Sequence, residues 1–150
     1  MPIISIRKWQ TSDIDTYFKL CHETEVRKYF NTIYCKNIKE VKALFKSRKK
    51  KEFFNFLIED GENTVGVIVG NPKRYSLEIS YFIGKEFRRN GYCVKAITAL
   101  QEELKNSKYK AMHFKVSKYN FGSLAVMKKI GATYLKKDKD WIYYNLEIEG

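Results

Sequence analysis

The stretch from Glu78 to Cys93 reads E-I-S-Y-F-I-G-K-E-F-R-R-N-G-Y-C. Leu77, Ile79, Tyr81 and Ile83 alternate with Glu78, Ser80, Phe82 and Gly84, and this period of two predicts a strand. A basic, glycine-containing loop follows, and a helix is expected from about Gly91. The first N–H groups of a helix have no partner inside it, and the macrodipole adds partial positive charge there. Such an end can seat a phosphate or diphosphate. Arg88, Arg89 and the absent side chain of Gly91 would let a diphosphate approach the backbone. Many strand–loop–helix junctions with these residues bind nothing, so the junction alone leaves both readings open. It is not a P-loop, since G-x-x-x-x-G-K-[ST] is missing, and the spaced glycines of a dinucleotide fingerprint are missing too.

Upstream, residues 3–8 predict a first strand. Thr11 or Ser12 can cap a helix carrying Ile14, Tyr17, Phe18 and Cys21 at helical spacing. A short helix is expected over Glu25 to Phe30. Asn37 and Glu40 resemble a capping box for a helix that buries Ile38, Val41, Leu44 and Phe45 and turns lysines outward. Phe53 to Glu59 predicts a strand, Asp60-Gly61 a hairpin turn, and Thr64 to Gly70 the returning strand, broken by Asn71-Pro72. Downstream, the helix from Gly91 to about Lys105 buries Cys93, Ile97, Leu100 and Leu104, with Ala96 and Ala99 allowing close approach. Ala111 to Ser117 predicts a strand, and Phe121 to Ile130 a helix ended by Gly131. Thr133 to Lys136 and Trp141 to Ile148 predict two closing strands around the turn K-D-K-D.

The 150 residues suffice for one mixed α/β domain with a proper core, and 44% apolar with 15% aromatic residues excludes a disordered chain. No apolar run is long enough for a transmembrane helix. The opening M-P-I-I-S-I-R-K-W lacks the apolar segment of a signal peptide, so a cytoplasmic protein without membrane partners is expected. Cys21, Cys35 and Cys93, with His22 and His113, have no metal-site spacing, and packed thiols without a metal are expected. A formal charge of +12 favours anionic partners. Residues 36–51 hold eight Lys or Arg against the single acid Glu40, which reads first as a solvated helix face. No helix-turn-helix or RNA-binding signature accompanies it, and nucleic acid is not the expected partner.

If the strand before the basic loop and the one after its helix are parallel neighbours, their carboxyl ends share one sheet edge. Asn120 and Ser123 then lie beside the mouth of the phosphate cradle. Each also reads as ordinary helix-start chemistry, Asn120 as an N-cap and Ser123 as a first-turn residue.

These residues carry a resemblance to a family. Arg88-x-x-Gly91-x-Cys93 resembles the [QR]-x-x-G-x-[GA] acyl-CoA pyrophosphate motif of the GNAT N-acetyltransferases. Asn120-x-x-Ser123, followed by Lys129-Ile130-Gly131-Ala132, resembles that family's N-x-x-S…K-[LI]-G-F signature. E-I-S-Y-F-I is similar to the E-I-G-Y-W-I strand of the branch that includes the ribosomal-protein N-acetyltransferases, and so is the start, I-S-I-R…D…E-V-R-K-Y-F. Cys93 stands where Gly or Ala is usual, Ala132 where Phe is common, and Met127 where many relatives place a tyrosine acid.

The resemblance implies a single GNAT-like domain, α/β with α+β character. Its central mixed, mostly antiparallel sheet would have one splayed parallel strand pair and flanking helices. It implies acetyl-CoA as co-substrate, with the pyrophosphate on the N–H groups of Arg89, Asn90, Gly91, Tyr92 and Cys93. Pantetheine would run along Phe82, Ile83 and Gly84, and Asn120 would bond to it. An N–H near Phe82 or Ile83 would polarise the thioester carbonyl. Glu78 is the candidate base, acting through a water, and otherwise an exposed carboxylate or ion-pair partner. Ser123 is the candidate acid or donor to the sulfur. Tyr81 and Tyr119 are nearby phenols, and aromatics on strands usually pack. Trp141, Tyr143 and Tyr144 with the first helices would line the acceptor pocket. The acceptor would be a small-molecule amine or a protein N-terminus, and the protein a monomer or homodimer. Two other readings stay open: an acyl-CoA-binding module without turnover, and a basic nucleic-acid-binding protein.

Overall fold

The computed structural model describes residues 3–49 and 53–149. Its strands form one seven-stranded sheet in the order β1-β2-β3-β4-β5-β7-β6. β1 (Ile4–Lys8), β2 (Phe54–Asp60), β3 (Asn63–Lys73) and β4 (Ser76–Ile83) are joined antiparallel. β5 (Ala111–Ser117) runs parallel to β4, and β7 (Trp141–Glu147) and β6 (Thr133–Asp138) complete the sheet antiparallel. The β4–β5 ladder covers only Ser76 to Glu78 opposite Ala111 to His113, although both strands continue. Beyond that point they part.

The period-two pattern of β4 explains how the sheet is sandwiched. Leu77, Ile79, Tyr81 and Ile83 pack into one core with α4 (Tyr92–Glu103) and α5 (Phe121–Ile130), contributing with Ala96, Ile97, Leu100 and Met127. Phe82 points the other way, into a second core with Tyr17, Leu20, Val26, Val41 and Phe45. Those residues come from α1 (Ile14–Cys21), α2 (Thr24–Tyr29) and α3 (Ile38–Lys49). β3 is buried on both faces from Val65 to Gly70, as befits a strand with helices above and below.

Three expectations need correction. Asn71-Pro72 does not end its strand: β3 runs to Lys73, with Pro72 opposite Leu77. Among the described residues the pairing with β2 begins at Gly70 opposite Phe54, and past Gly70 the strand pairs with β4, an edge position where proline is tolerated. The reversal falls instead at Arg74, with φ 54°. Neither Thr11 nor Ser12 caps α1; a short 3-10 turn, Thr11–Asp13, precedes it. There Asp13 accepts from the Gln10 N–H and from two guanidinium nitrogens of Arg7. Arg48 leaves the solvated basic face of α3. It is 8% exposed, donates to Asn55 and Gly70 and lies 4.6 Å from the Phe53 ring. Lys50 and Lys51, the end of the basic run, lie outside the described residues. Asn37 caps α3 as expected, its Oδ1 accepting from the Glu40 N–H, while Glu40 reaches back to Lys36 rather than Asn37. No helix among the described residues is long and apolar enough to cross a membrane.

Gly66 sets how closely β3 approaches β4. A Cβ there would lie 2.4 Å from the Phe82 carbonyl oxygen and 3.2 Å from Ile83 Cα, both backbone atoms. Gly66→Ala is expected to lose roughly 1–3 kcal/mol, the range for overpacking, in urea denaturation. Wild-type stability would mean that the strands can separate here at no cost.

Candidate active site

The loop after β4 is built to present backbone. Arg89 has φ 67° and Gly91 φ 72°, and a Cβ on Gly91 would meet nothing within 4 Å. Gly91 is the N-cap of α4, and no side chain caps that end. The helix therefore offers its first-turn N–H groups to an open space, which is the anion-seating geometry expected. Asn90 steadies the loop by donating from Nδ2 to the carbonyls of Phe87 and Arg88. Tyr92 hydrogen-bonds through its phenol to Asp60, anchoring α4 to the β2–β3 hairpin, so what it can give a ligand is its backbone N–H. The Cys93 thiol is pushed up to about 12 by burial, partly opposed by Arg88, which disfavours its thiolate.

Arg88 has a different place from the one expected. Its guanidinium pairs with Glu23 and, at 3.0 Å, with Glu25, while its Nε donates to the Ile83 carbonyl at 3.1 Å. Its charge is thereby neutralised by the start of α2, and it braces that helix over the end of β4. Arg89 forms no ion pair among the described residues and lines the first of the two cavities described below.

The open edge of β4 is narrower than expected as well. The Gly84 N–H donates to Val65 on β3 at 2.8 Å. Backbone direction alternates along a strand, so Phe82 also turns its N–H to β3, opposite Val67. Of Phe82, Ile83 and Gly84, only Ile83 directs its N–H into the gap toward β5. Gly84 is buried under Leu20 and Phe87.

Two cavities meet in this gap. The first, about 410 Å³, is lined by the Arg88–Cys93 loop, Phe82, Ile83, Asn120 and Ser123. The second, about 680 Å³, is lined by Glu78, Asn71, His113 and the aromatic residues of β7, including Trp141, Tyr143 and Tyr144. Tyr29, Phe30, Tyr81, Asn120 and Ser123 belong to both walls. The Tyr29 hydroxyl reaches the Tyr119 carbonyl at 3.4 Å, tying α2 across to the start of α5. Asn120 caps α5, its Oδ1 accepting from the Ser123 N–H at 3.2 Å, and Ser123 is 7% exposed. Met127, one turn further, is fully buried in the core, so this part of α5 brings no phenol to the gap.

Glu78 lies in the second cavity, apart from the first, with Lys73 Nζ 2.7 Å from its Oε1. Two polar atoms here stand out. The Tyr81 hydroxyl and Asn71 Oδ1 are buried without a hydrogen-bond partner among the described residues, and both residues line the second cavity. The sequence offered Tyr81 as a nearby phenol and favoured packing for it; it is the one hydroxyl on an otherwise aliphatic strand face. Asn71 carried no such signal, because Asn-Pro reads as a turn.

Arg88 joins β4, its loop and α2 through charged hydrogen bonds, each typically worth about 1.5–3 kcal/mol. Arg88→Ala should therefore destabilise the fold by roughly that much in chemical denaturation, since it leaves Glu23 and Glu25 facing each other. An unchanged midpoint would show that α2 is held by its apolar contacts alone.

Residues 4–133 match the family model described as acetyltransferase (GNAT) domain. Among solved structures, RimL, a ribosomal L7/L12 alpha-N-protein acetyltransferase in complex with coenzyme A, superposes with TM-score 0.89 at 16% identity, covering 97% of this chain and 94% of that one. A spermidine N-acetyltransferase from Vibrio cholerae, in complex with CoA and spermine, gives TM-score 0.81 at 13% identity over 97% and 95% of the two chains. Mycobacterium smegmatis RimJ, in complex with a CoA-disulfide, gives 0.82 at 13% identity over 98% and 86%. No curated protein sequence matches. With its splayed β4–β5 pair and the match over most of its length, the chain belongs to the GNAT acetyltransferase family.

Proposed function

We propose that this acetyltransferase moves the acetyl group of acetyl-CoA onto a primary amine by direct attack, with the cofactor in the first cavity and the amine in the second. The observation that carries the reading is the shared wall, where Tyr81, Asn120 and Ser123 border both cavities at the point where β4 and β5 part. The diphosphate would sit on the N–H groups from Arg89 to Cys93, with Arg89 as counter-charge. The edge of β4 at Ile83, where Arg88 holds the carbonyl, would leave its N–H to polarise the thioester carbonyl at the end of the pantetheine arm. The Asn120 Nδ2, left over by the cap, would donate to the pantetheine arm.

The amine must shed a proton to attack. An α-amino group has a pKa of about 8 and a lysine of about 10.4, so a base helps either. Glu78 would serve, through a water, using the oxygen that Lys73 leaves free. Asn71 is its cross-strand neighbour on the same face and offers an unpartnered acceptor to the amine N–H. Ser123 would donate to the departing sulfur. The acceptor would be a protein N-terminus or a small molecule.

Charge narrows the class. The second cavity is lined by Lys73, Lys115 and Lys136, with Glu78 as its carboxylate already paired to Lys73. Lys115 and Lys136 sit 4.6 and 4.8 Å from the Trp141 and Tyr143 ring centroids. That lining favours an amine carrying a carboxylate or phosphate and disfavours a polyamine.

A thermal melt tests the cofactor. Acetyl-CoA at about a hundred times its Kd should stabilise by about 2.7 kcal/mol, well beyond ADP at equal concentration. Gly91→Asp, which adds bulk and negative charge at the cradle, should abolish the shift; near-wild-type affinity would overturn the cradle. Thiol release tests the acceptor. Acidic amino acids and peptides with acidic N-terminal regions should react faster than spermidine, and added salt should shrink the difference. Equal rates would overturn the charge argument. Cofactor binding without thiol release would favour the binding-module reading, which the burial of Met127 also fits.

A further inference from the structure

We infer that Tyr81 is a catalytic residue whose hydroxyl donates a hydrogen bond to the sulfur of the thioester and of the departing thiolate, an inference that rests on the acetyl-CoA reading above. Its ring packs among Phe30 and Phe114, with centroids at 5.8 and 6.3 Å, and the residue is 4% exposed. Its hydroxyl nevertheless has no hydrogen-bond partner among the described residues. A buried hydroxyl left in that state is destabilising, a cost that phenylalanine would avoid. Leu77, Ile79 and Ile83, the other core-facing residues of this strand, carry no polar atom. The phenol stands where β4 has left β5, on the wall common to both cavities, which is where the acetyl group must pass from one to the other.

The surroundings define what the phenol can do. Burial, reinforced by Cys93, holds its pKa well above the ordinary tyrosine value, with the neighbouring Ser123 side chain acting in the opposite direction. Such a phenol keeps its own proton and acts as a donor. In the reaction the amine nitrogen bonds to the acetyl carbon, and the C–S bond breaks with its electron pair leaving on sulfur. The proton lost by the amine passes to Glu78 or water, and the CoA thiolate regains one from solvent. Tyr81 stays protonated throughout, and its hydrogen bond strengthens as charge builds on sulfur. The phenol thus reaches the sulfur from the strand wall of the gap, where α5 places Met127 in the core.

Tyr81→Phe is the test, read by turnover and by binding. With an amine that the wild type acetylates, kcat should fall about 10- to 100-fold with little change in the KM for acetyl-CoA. The melting temperature without ligand should stay level or rise, because an unsatisfied hydroxyl is removed. In calorimetric titrations the variant should bind CoA about 3- to 10-fold more weakly than wild type, and desulfo-CoA equally well. If kcat changes by less than about two-fold and CoA affinity is unchanged, the role is overturned and Tyr81 is packing. Equal losses for CoA and desulfo-CoA would also overturn it, since the effect would not pass through sulfur. If the wild type binds neither compound, the acetyl-CoA reading itself fails and this one with it.

Discussion

The structure depends on a ladder that stops early. Backbone N–H and C=O groups buried in a protein must be paired, and in a sheet the neighbouring strand ordinarily does it. Here β4 and β5 pair from Ser76 to Glu78 and then part, leaving a stretch of β4 with its outward edge unclaimed by the sheet. That edge includes Tyr81 and Ile83, whose backbone groups alternate away from β3. A free edge inside a fold is costly unless something extended lies against it, which the pantetheine arm of CoA would do.

Keeping the gap open requires its walls to be held from outside. On one side, α4 and α5 are seated on the core that Leu77, Ile79 and Ile83 help to form. On the other, α2 is held across the opening at two points. Arg88 clamps its first residues through Glu23 and Glu25, and Tyr29 at its far end meets the Tyr119 carbonyl. An arginine in the cradle motif thus has an architectural duty. On the proposed reading, the attraction of the loop for an anion would then come from the uncapped helix start and from Arg89.

Polar atoms are rationed in the same region. The Arg7–Asp13–Glu59 cluster and the Arg48–Asn55 pair are satisfied, whereas the Trp9 indole N–H, the Tyr81 hydroxyl and Asn71 Oδ1 are buried without a hydrogen-bond partner among the described residues. Tyr81 and Asn71 differ from Trp9 in lining the second cavity, where a ligand would complete the hydrogen bonding.

The alternation of β4, the helix from Gly91, the cap at Asn120 and the stop at Gly131 were all legible, because each depends on residues a few positions apart. The paired motifs around Arg88 and Asn120 likewise pointed to the family, since they are local patterns at a readable spacing. What could not be read was pairwise. Register decides that Ile83 rather than Phe82 or Gly84 faces the gap, and it carries β3 past Pro72. Partners distant in sequence decide that Arg88 answers Glu23 and Glu25, that Arg48 is buried against Asn55, and that the Tyr81 hydroxyl has no hydrogen-bond partner among the described residues. The chain by itself thus determined which elements form and which motif they carry, through local propensity and periodicity. Tertiary structure alone decided where each donor and charge is directed, because direction is set by whichever strand or helix lies opposite.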